Sequence, residues 1–197
     1  MGSEGYRGVV RAFRIANGSM VWETILPQPC NSYPAFGPLD GRPAVVVTPG
    51  SFPGSSVMHG SIMALDAATG HPLWQFQAKP FSGPMNLARG EVEGLPFRSK
   101  SKARDPFIGT MCGPAHWGAP VITGDGTVYA GRLDGILYGV RAPAVSEALP
   151  TAIDFHSSPG VEVETLDVLD CSLHGAFAFA PGTMAFQTCD SLWVFKF

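Results

Sequence analysis

Charge is scarce in this 197-residue chain. Lys and Arg number 13 and Asp and Glu 16, together 15% of the residues. With 45% hydrophobic residues, that scarcity excludes a disordered polyelectrolyte. A net charge of −3 supplies no overall attraction to nucleic acid or to an anionic membrane surface. No apolar run approaches the roughly 20 residues that a membrane-spanning helix needs. Gly2 to Arg7 carries no apolar core of the kind a secretory signal has. Cysteine is sparse too. Cys30, Cys112, Cys171 and Cys189 stand far apart, and neither a Cys-x-x-Cys nor a His-x-x-x-His spacing marks a metal site.

Glycine and proline, by contrast, are plentiful at 24 and 18, which suits many short strands joined by turns. The length is enough for one domain with a sizeable core. The most ordered pattern runs from Gly60 to Phe76. Ile62, Ala64 and Leu65 mark one strand, Asp66 to Gly70 a turn, and Leu73, Trp74 and Phe76 a second strand. Gly70 is free to take positive φ there. The same layout occurs earlier: Gly8, Ala12, Gly18 and Trp22 stand 52 positions before Gly60, Ala64, Gly70 and Trp74. A repeat of about 40–50 residues built from short strands is the signature of a β-propeller blade.

Residues 64–74 carry the full Ala-x-Asp-x-x-Thr-Gly-x-x-x-Trp stretch, through Ala64, Asp66, Thr69, Gly70 and Trp74. This resembles the pyrroloquinoline-quinone (PQQ)-type propeller repeat. The first copy departs at Arg14, which replaces the Asp, and at Asn17, which replaces the Thr. The resemblance implies an all-β fold of four-stranded antiparallel blades, with strands lettered A to D outward from the axis. It names an architecture and not a reaction.

On that template, residues 8–25 are strands C and D of a first blade and residues 31–77 a complete second one. In the second blade, Asn31–Phe36 is strand A, Pro38–Pro43 a turn, Ala44–Thr48 strand B, Pro49–His59 an enlarged loop, and 61–66 and 72–77 strands C and D. Residues 79–116 form a long connection. A third blade covers 117–166, with strand A at Trp117–Ile122, Gly118 near its start and Gly135 in a short turn. Its strand D, Val161–Leu166, follows a divergent loop. Residues 174–197 supply strands A, B and C of a last blade. The expectation is a partial, open propeller of roughly three blades plus incomplete blades at the ends, forming the C-terminal portion of a larger ring. Unpaired edges at both ends invite edge-strand association or oligomerisation.

Propeller geometry brings the loops around 49–60 and 79–116 onto one face, opposite the short Asn17-Gly18 and Thr69-Gly70 turns. Elaborated loops on a rigid scaffold are where binding sites usually sit. The 79–116 segment holds the one basic cluster, Arg98, Lys100, Lys102 and Arg104. That cluster reads either as a solvated loop or as a contact for an acidic partner. His59, His116 and His174 gather on the same face, as do the four cysteines. Three readings stay open for the cysteines: a zinc or copper site, a Cys171–Cys189 disulfide, or buried thiols. Trp22 and Trp74 occupy the position that packs between blades. Trp117, at the start of an inner strand, is the one tryptophan considered for ligand stacking.

Three functions follow from the resemblance. The leading one is a binding or scaffold module for a protein or anionic polymer, similar to outer-membrane assembly scaffolds that share the repeat. It implies no cofactor, no specific nucleic acid and no membrane span, and it favours an extracytoplasmic setting. The alternative is a piece of a quinoprotein-type dehydrogenase with PQQ and calcium at its axis. Those enzymes carry adjacent cysteines and inner-strand acids. No such pair or acid is found here, since Asp134 and Asp190 lie in turns, so catalytic residues would lie in blades outside this chain. The third is a fragment with no activity of its own.

Overall fold

A computed structural model describes residues 7–51, 57–81, 117–142, 156–168, 173, 175–188 and 191–197. Among these residues the protein is all β, with no helix, and none is therefore long and apolar enough to cross a membrane. Among the described residues, thirteen strands form four antiparallel sheets, each a meander in chain order. The first sheet pairs β1 (Gly8–Phe13) with β2 (Met20–Leu26). The second contains β3 (Ala35–Leu39), β4 (Arg42–Val47), β5 (Met58–Asp66) and β6 (Pro72–Phe81). The third contains β7 (Val121–Ile122), β8 (Val128–Gly131), β9 (Ile136–Arg141) and β10 (Glu162–Asp167). The fourth contains β11 (Phe177–Ala180), β12 (Thr183–Gln187) and β13 (Leu192–Lys196). No strand pairing among the described residues closes a barrel or joins the first sheet to the fourth.

The 52-residue repeat is exact in backbone register. Ala12 faces Trp22 as Ala64 faces Trp74, and each ladder shifts register at the next position, Ala12/Phe13 and Ala64/Leu65. Both turns close alike. Arg14 N–H donates to Ser19 O and Asp66 N–H to His71 O, each at 2.8 Å. Gly18 and Gly70 reach back to residues 14 and 66, also at 2.8 Å. Their φ values of 69° and 74° lie where a side chain is strained. The Asp66 carboxylate accepts from the N–H groups of Ala68 and Thr69 and from the Thr69 hydroxyl. Slight burial pushes its pKa up, but these bonds outweigh that and hold it below the usual value. Arg14 offers no such carboxylate. Asn17 supplies a partial substitute, its Oδ1 accepting from Ser19 N–H at 3.0 Å as Thr69 Oγ1 accepts from His71 N–H at 3.3 Å.

The sheets pack face to face in chain order. Leu26, Val47, Met63 and Leu65 form the core between the first two, with Val10 and Trp22 against it. Val46, Ile62, Ala64, Trp74, Phe76, Trp117, Val128, Tyr138 and Val140 form the core between the second and third. Leu137, Leu173, Phe177, Met184 and Phe186 form the core between the third and fourth. Neighbouring residues such as Leu137 and Tyr138 therefore serve opposite faces of β9, as strand alternation requires.

Several strand limits differ from the sequence expectation. Strand A of the second sheet begins at Ala35 rather than Asn31. Pro34 has no N–H for a ladder, and Ser32 instead bonds the Thr48 hydroxyl. The turn that follows is only Asp40-Gly41, both with positive φ of 49° and 77°. That pair suits the two-residue hairpin, so Pro38 and Pro43 sit in the strands. Pro120 likewise confines the expected 117–122 strand to Val121–Ile122, with Trp117 held by a single bridge to Arg132. The last sheet starts at Phe177 rather than His174. Lys79 to Phe81, expected in a loop, extend β6, and His59 belongs to β5.

The outer edge of β6 is not left open. The Ser158 hydroxyl accepts from Gln75 N–H and the Ser157 hydroxyl from Gln77 N–H, each at 2.9 Å. Ser158 N–H completes the pairing by donating to Gln75 O at 2.7 Å.

The two glycine turns provide an internal comparison. A Cβ on Gly70 would lie 2.5 Å from Trp22 Cε3 and 2.6 Å from Cδ2, whereas one on Gly18 meets nothing within 4 Å. Gly18→Ala is expected to cost about 1–2 kcal/mol from the left-handed backbone alone. Gly70→Ala must add the clash with the indole, so its thermal melt should fall further. Equal melting shifts would contradict the packing of Trp22 on this turn.

Candidate functional site

At one end of the stack, the second and third sheets meet around a buried cation. Arg132 follows β8 and is wholly buried. A tight turn places it: Arg132 N–H donates to Ile136 O, and Gly135, with φ of 81°, donates back to Arg132 O, both at 3.0 Å. Asp134 braces this turn by accepting from Ile136 N–H at 3.2 Å. Its other oxygen lies 3.1 Å from Arg132 Nη1 and accepts the Tyr138 hydroxyl at 3.3 Å. From the second sheet, Lys79 O accepts from Nη1 at 2.7 Å and Met58 O from Nη2 at 3.1 Å. The guanidinium also stands 4.7 Å from the Phe81 ring centre and 5.4 Å from that of Trp117.

A planar fork with five donors suits this job, because it serves the Lys79 and Met58 carbonyls and the Asp134 carboxylate at once. Lys has one compact ammonium and could not reach them all. The electrostatics are those of a buried ion pair. Burial pushes the Asp134 carboxyl above its ordinary value, and the Arg132 charge pulls back against it. Burial, reinforced by the Asp134 charge, pushes the Tyr138 hydroxyl up to about 12. At neutral pH Tyr138 is therefore a neutral hydrogen-bond donor, not a base.

The arrangement joins stems. Lys79 and Phe81 close β6 just before residues 82–116, and Trp117 stands just after them. All three touch the same guanidinium. Trp117 is also tied to the enlarged β4–β5 connection, its indole N–H donating to Pro49 O at 3.2 Å. Chemically this site can clamp and orient backbone.

Of the residues singled out in the sequence, Ala12, Gly18, Trp22, Ala64, Asp66, Thr69, Gly70 and Trp74 lie in the two repeated turns and strand pairs described above. Trp22 donates its indole N–H to Ala67 O at 3.0 Å, and Trp74 is buried between the second and third sheets. Gly118 N–H bonds Gly131 O, and Gly135 is in the Arg132 turn. His59 sits beside Ser51, which accepts from its N–H at 2.9 Å. One expectation is corrected: Trp117 is 1% exposed and packs edge-on against Tyr138, so its ring offers no surface for stacking a ligand. Arg98, Lys100, Lys102, Arg104, His116, Cys171 and Cys189 lie outside the described residues, as do Cys112, His174 and Asp190. Cys30 is a free thiol, 3.8 Å from the Ser32 hydroxyl. Among the described residues, no three His, Cys, Asp or Glu side chains gather as a metal site.

Arg132 and Tyr138 were not foreseen. The available signal was the Arg-Leu-Asp-Gly turn, which sets an arginine and an aspartate between the apolar strands Val-Tyr-Ala-Gly and Ile-Leu-Tyr-Gly-Val.

No protein-family model matches the chain, and no curated protein matches it in sequence.

Proposed function

We propose that this chain is an open arc of a PQQ-like repeat propeller that works as a binding or scaffold module. Four meander sheets packed in chain order, with two copies of one turn in identical register, support the architectural part of this reading. The functional part rests on one observation: a single buried guanidinium holds both stems of the segment that carries Arg98, Lys100, Lys102 and Arg104. A basic segment on a fixed base suits an acidic protein segment or an anionic polymer, bound weakly and with strong salt dependence. The opposite end offers short turns such as Asp40-Gly41 and Thr69-Gly70.

The test uses immobilised polyglutamate as the acidic probe. The full chain should be retained at low salt and released as ionic strength approaches about 0.15 M, where the screening length is near 8 Å. The variant with Arg98, Lys100, Lys102 and Arg104 all changed to Ala should fold normally and pass through unretained. A control with Asp66→Asn in the opposite turn should behave as wild type. Equal retention of the quadruple variant, or loss in the control, would defeat the proposal.

A further inference from the structure

At the end of the second sheet where Arg132 sits, the two faces of the sheet differ. Toward the third sheet, Met58 O and Lys79 O are met by the guanidinium. Toward the first sheet, the apolar core of Leu26, Met63 and Leu65 gives way to a layer of neutral polar side chains. Strand alternation puts Ser61 on the face of Met63 and Leu65. Gln77 is the cross-strand partner of Ser61, so its side chain lies on the same face. Gln28, two positions beyond Leu26, reaches over from the first sheet, its Nε2 donating to Ser51 Oγ at 3.0 Å. Ser51 Oγ also accepts from His59 N–H at 2.9 Å. Pro49 O ties the layer to the Arg132 site, accepting from Ser61 N–H at 2.9 Å and from the Trp117 indole at 3.2 Å. Gln28, Ser51 and Ser61 are 7%, 3% and 0% exposed.

Three oxygens of this layer are shut away from solvent with no hydrogen-bond partner among the described residues: Gln28 Oε1, Ser61 Oγ and Gln77 Oε1. Buried polar atoms are costly unless something compensates them. Turning the Gln77 amide over does not cure this. Its Nε2 donates to Gly60 O at 2.9 Å and to Ala78 O at 3.2 Å, and the reverse orientation would set oxygen against both carbonyls. The orphaned atom of Gln77 is therefore an acceptor. Two amide oxygens and a hydroxyl oxygen in one buried layer suit a positive centre.

We propose that Gln28 Oε1, Ser61 Oγ and Gln77 Oε1 hold an exchangeable alkali metal cation, sodium or potassium, between the first two sheets. Neutral oxygens can replace part of the hydration shell of such an ion, as carbonyl rings do in potassium-selective pores. Calcium draws its affinity largely from carboxylates and magnesium dehydrates reluctantly, so a ligand set without carboxylate favours a single charge. The ion joins the first and second sheets as the Arg132 guanidinium joins the second and third. This inference stands on the orphaned oxygens and not on the basic segment.

The experiment melts the full chain in choline chloride, sodium chloride and potassium chloride at one ionic strength. Choline, with its charge enclosed by carbon, supplies no bare cation. An alkali ion at about 100 times its Kd should raise the melting temperature by about 5–10 °C, along a saturable curve. Ser61→Ala deletes one ligand oxygen and no backbone bond. In choline it should melt no lower than wild type, because an orphaned hydroxyl is gone, and it should lose most of the alkali shift. Gln28→Met makes the same test from the first sheet, and if either variant fails to fold the other carries the comparison. Equal melting of the wild type in all three salts overturns the proposal and leaves buried water as the partner of these oxygens. An alkali shift that survives in the variants also overturns it, since the ion then binds elsewhere. So does a larger shift with calcium chloride.

Discussion

Arg132→Ala is expected to lower folding stability by about 3–5 kcal/mol, the cost of removing one partner from a buried ion pair. The loss has three parts. Asp134 loses the charge that favours its ionised form, in a site where burial already disfavours it. The carbonyls of Lys79 and Met58 lose their donor. The rings of Phe81 and Trp117 lose the flat cation that they pack around. Replacing both charges by Arg132→Met with Asp134→Asn should recover part of the loss, because no uncompensated charge remains. Denaturant titration at neutral pH measures both. A single-variant effect within about 0.5 kcal/mol, the range of ordinary surface changes, would show that the guanidinium is not holding the sheets together.

Trp74→Ala is expected to cost about 3–5 kcal/mol as well, by a different route. Trp74 is 4% exposed and sits among Val46, Ile62, Val128, Tyr138 and Val140, contributed by both sheets. Its indole cannot be replaced by collapse of one sheet, because the ladders on both sides fix the backbones. A cavity therefore remains and adds to the lost burial. Trp22→Ala should cost less, since that ring is only partly buried against one turn. A melting shift for Trp74→Ala no larger than that for Trp22→Ala would contradict the placement of the core.

How far the sequence foretold this molecule depends on the range of the interactions involved. The repeated turn was legible because its needs are local: a glycine at positive φ and a small residue opposite a tryptophan. Those residues recur at a fixed spacing of 52. The order of strands was legible for the same reason. Strand ends were less so. Periodicity carried strand A back to Asn31, where Pro34 interrupts pairing and Tyr33 points into solvent. The candidate site was mostly hidden. Arg132 gains its acceptors from Met58 and Lys79, 74 and 53 residues away, and no local pattern announces such a meeting. Trp117 was misread for a related cause. Its place at the start of an inner strand hinted at an open face, but Pro49, Tyr138 and Arg132 close around it.

The serine pair that seals β6 also imposes an order on synthesis. Gln75 and Ser158 are 83 residues apart, and Gln77 and Ser157 are 80 apart. A chain emerging from the ribosome completes the second sheet long before those hydroxyls exist. During that interval the Gln75 and Gln77 N–H groups lack the hydroxyls that cover them in the folded protein, and a neighbouring nascent chain can add a strand at this edge. Such a long sequence separation also makes the final seal a late and entropically costly event. The step most exposed to misassembly is therefore the wait for residues 156–158, not the formation of any single sheet.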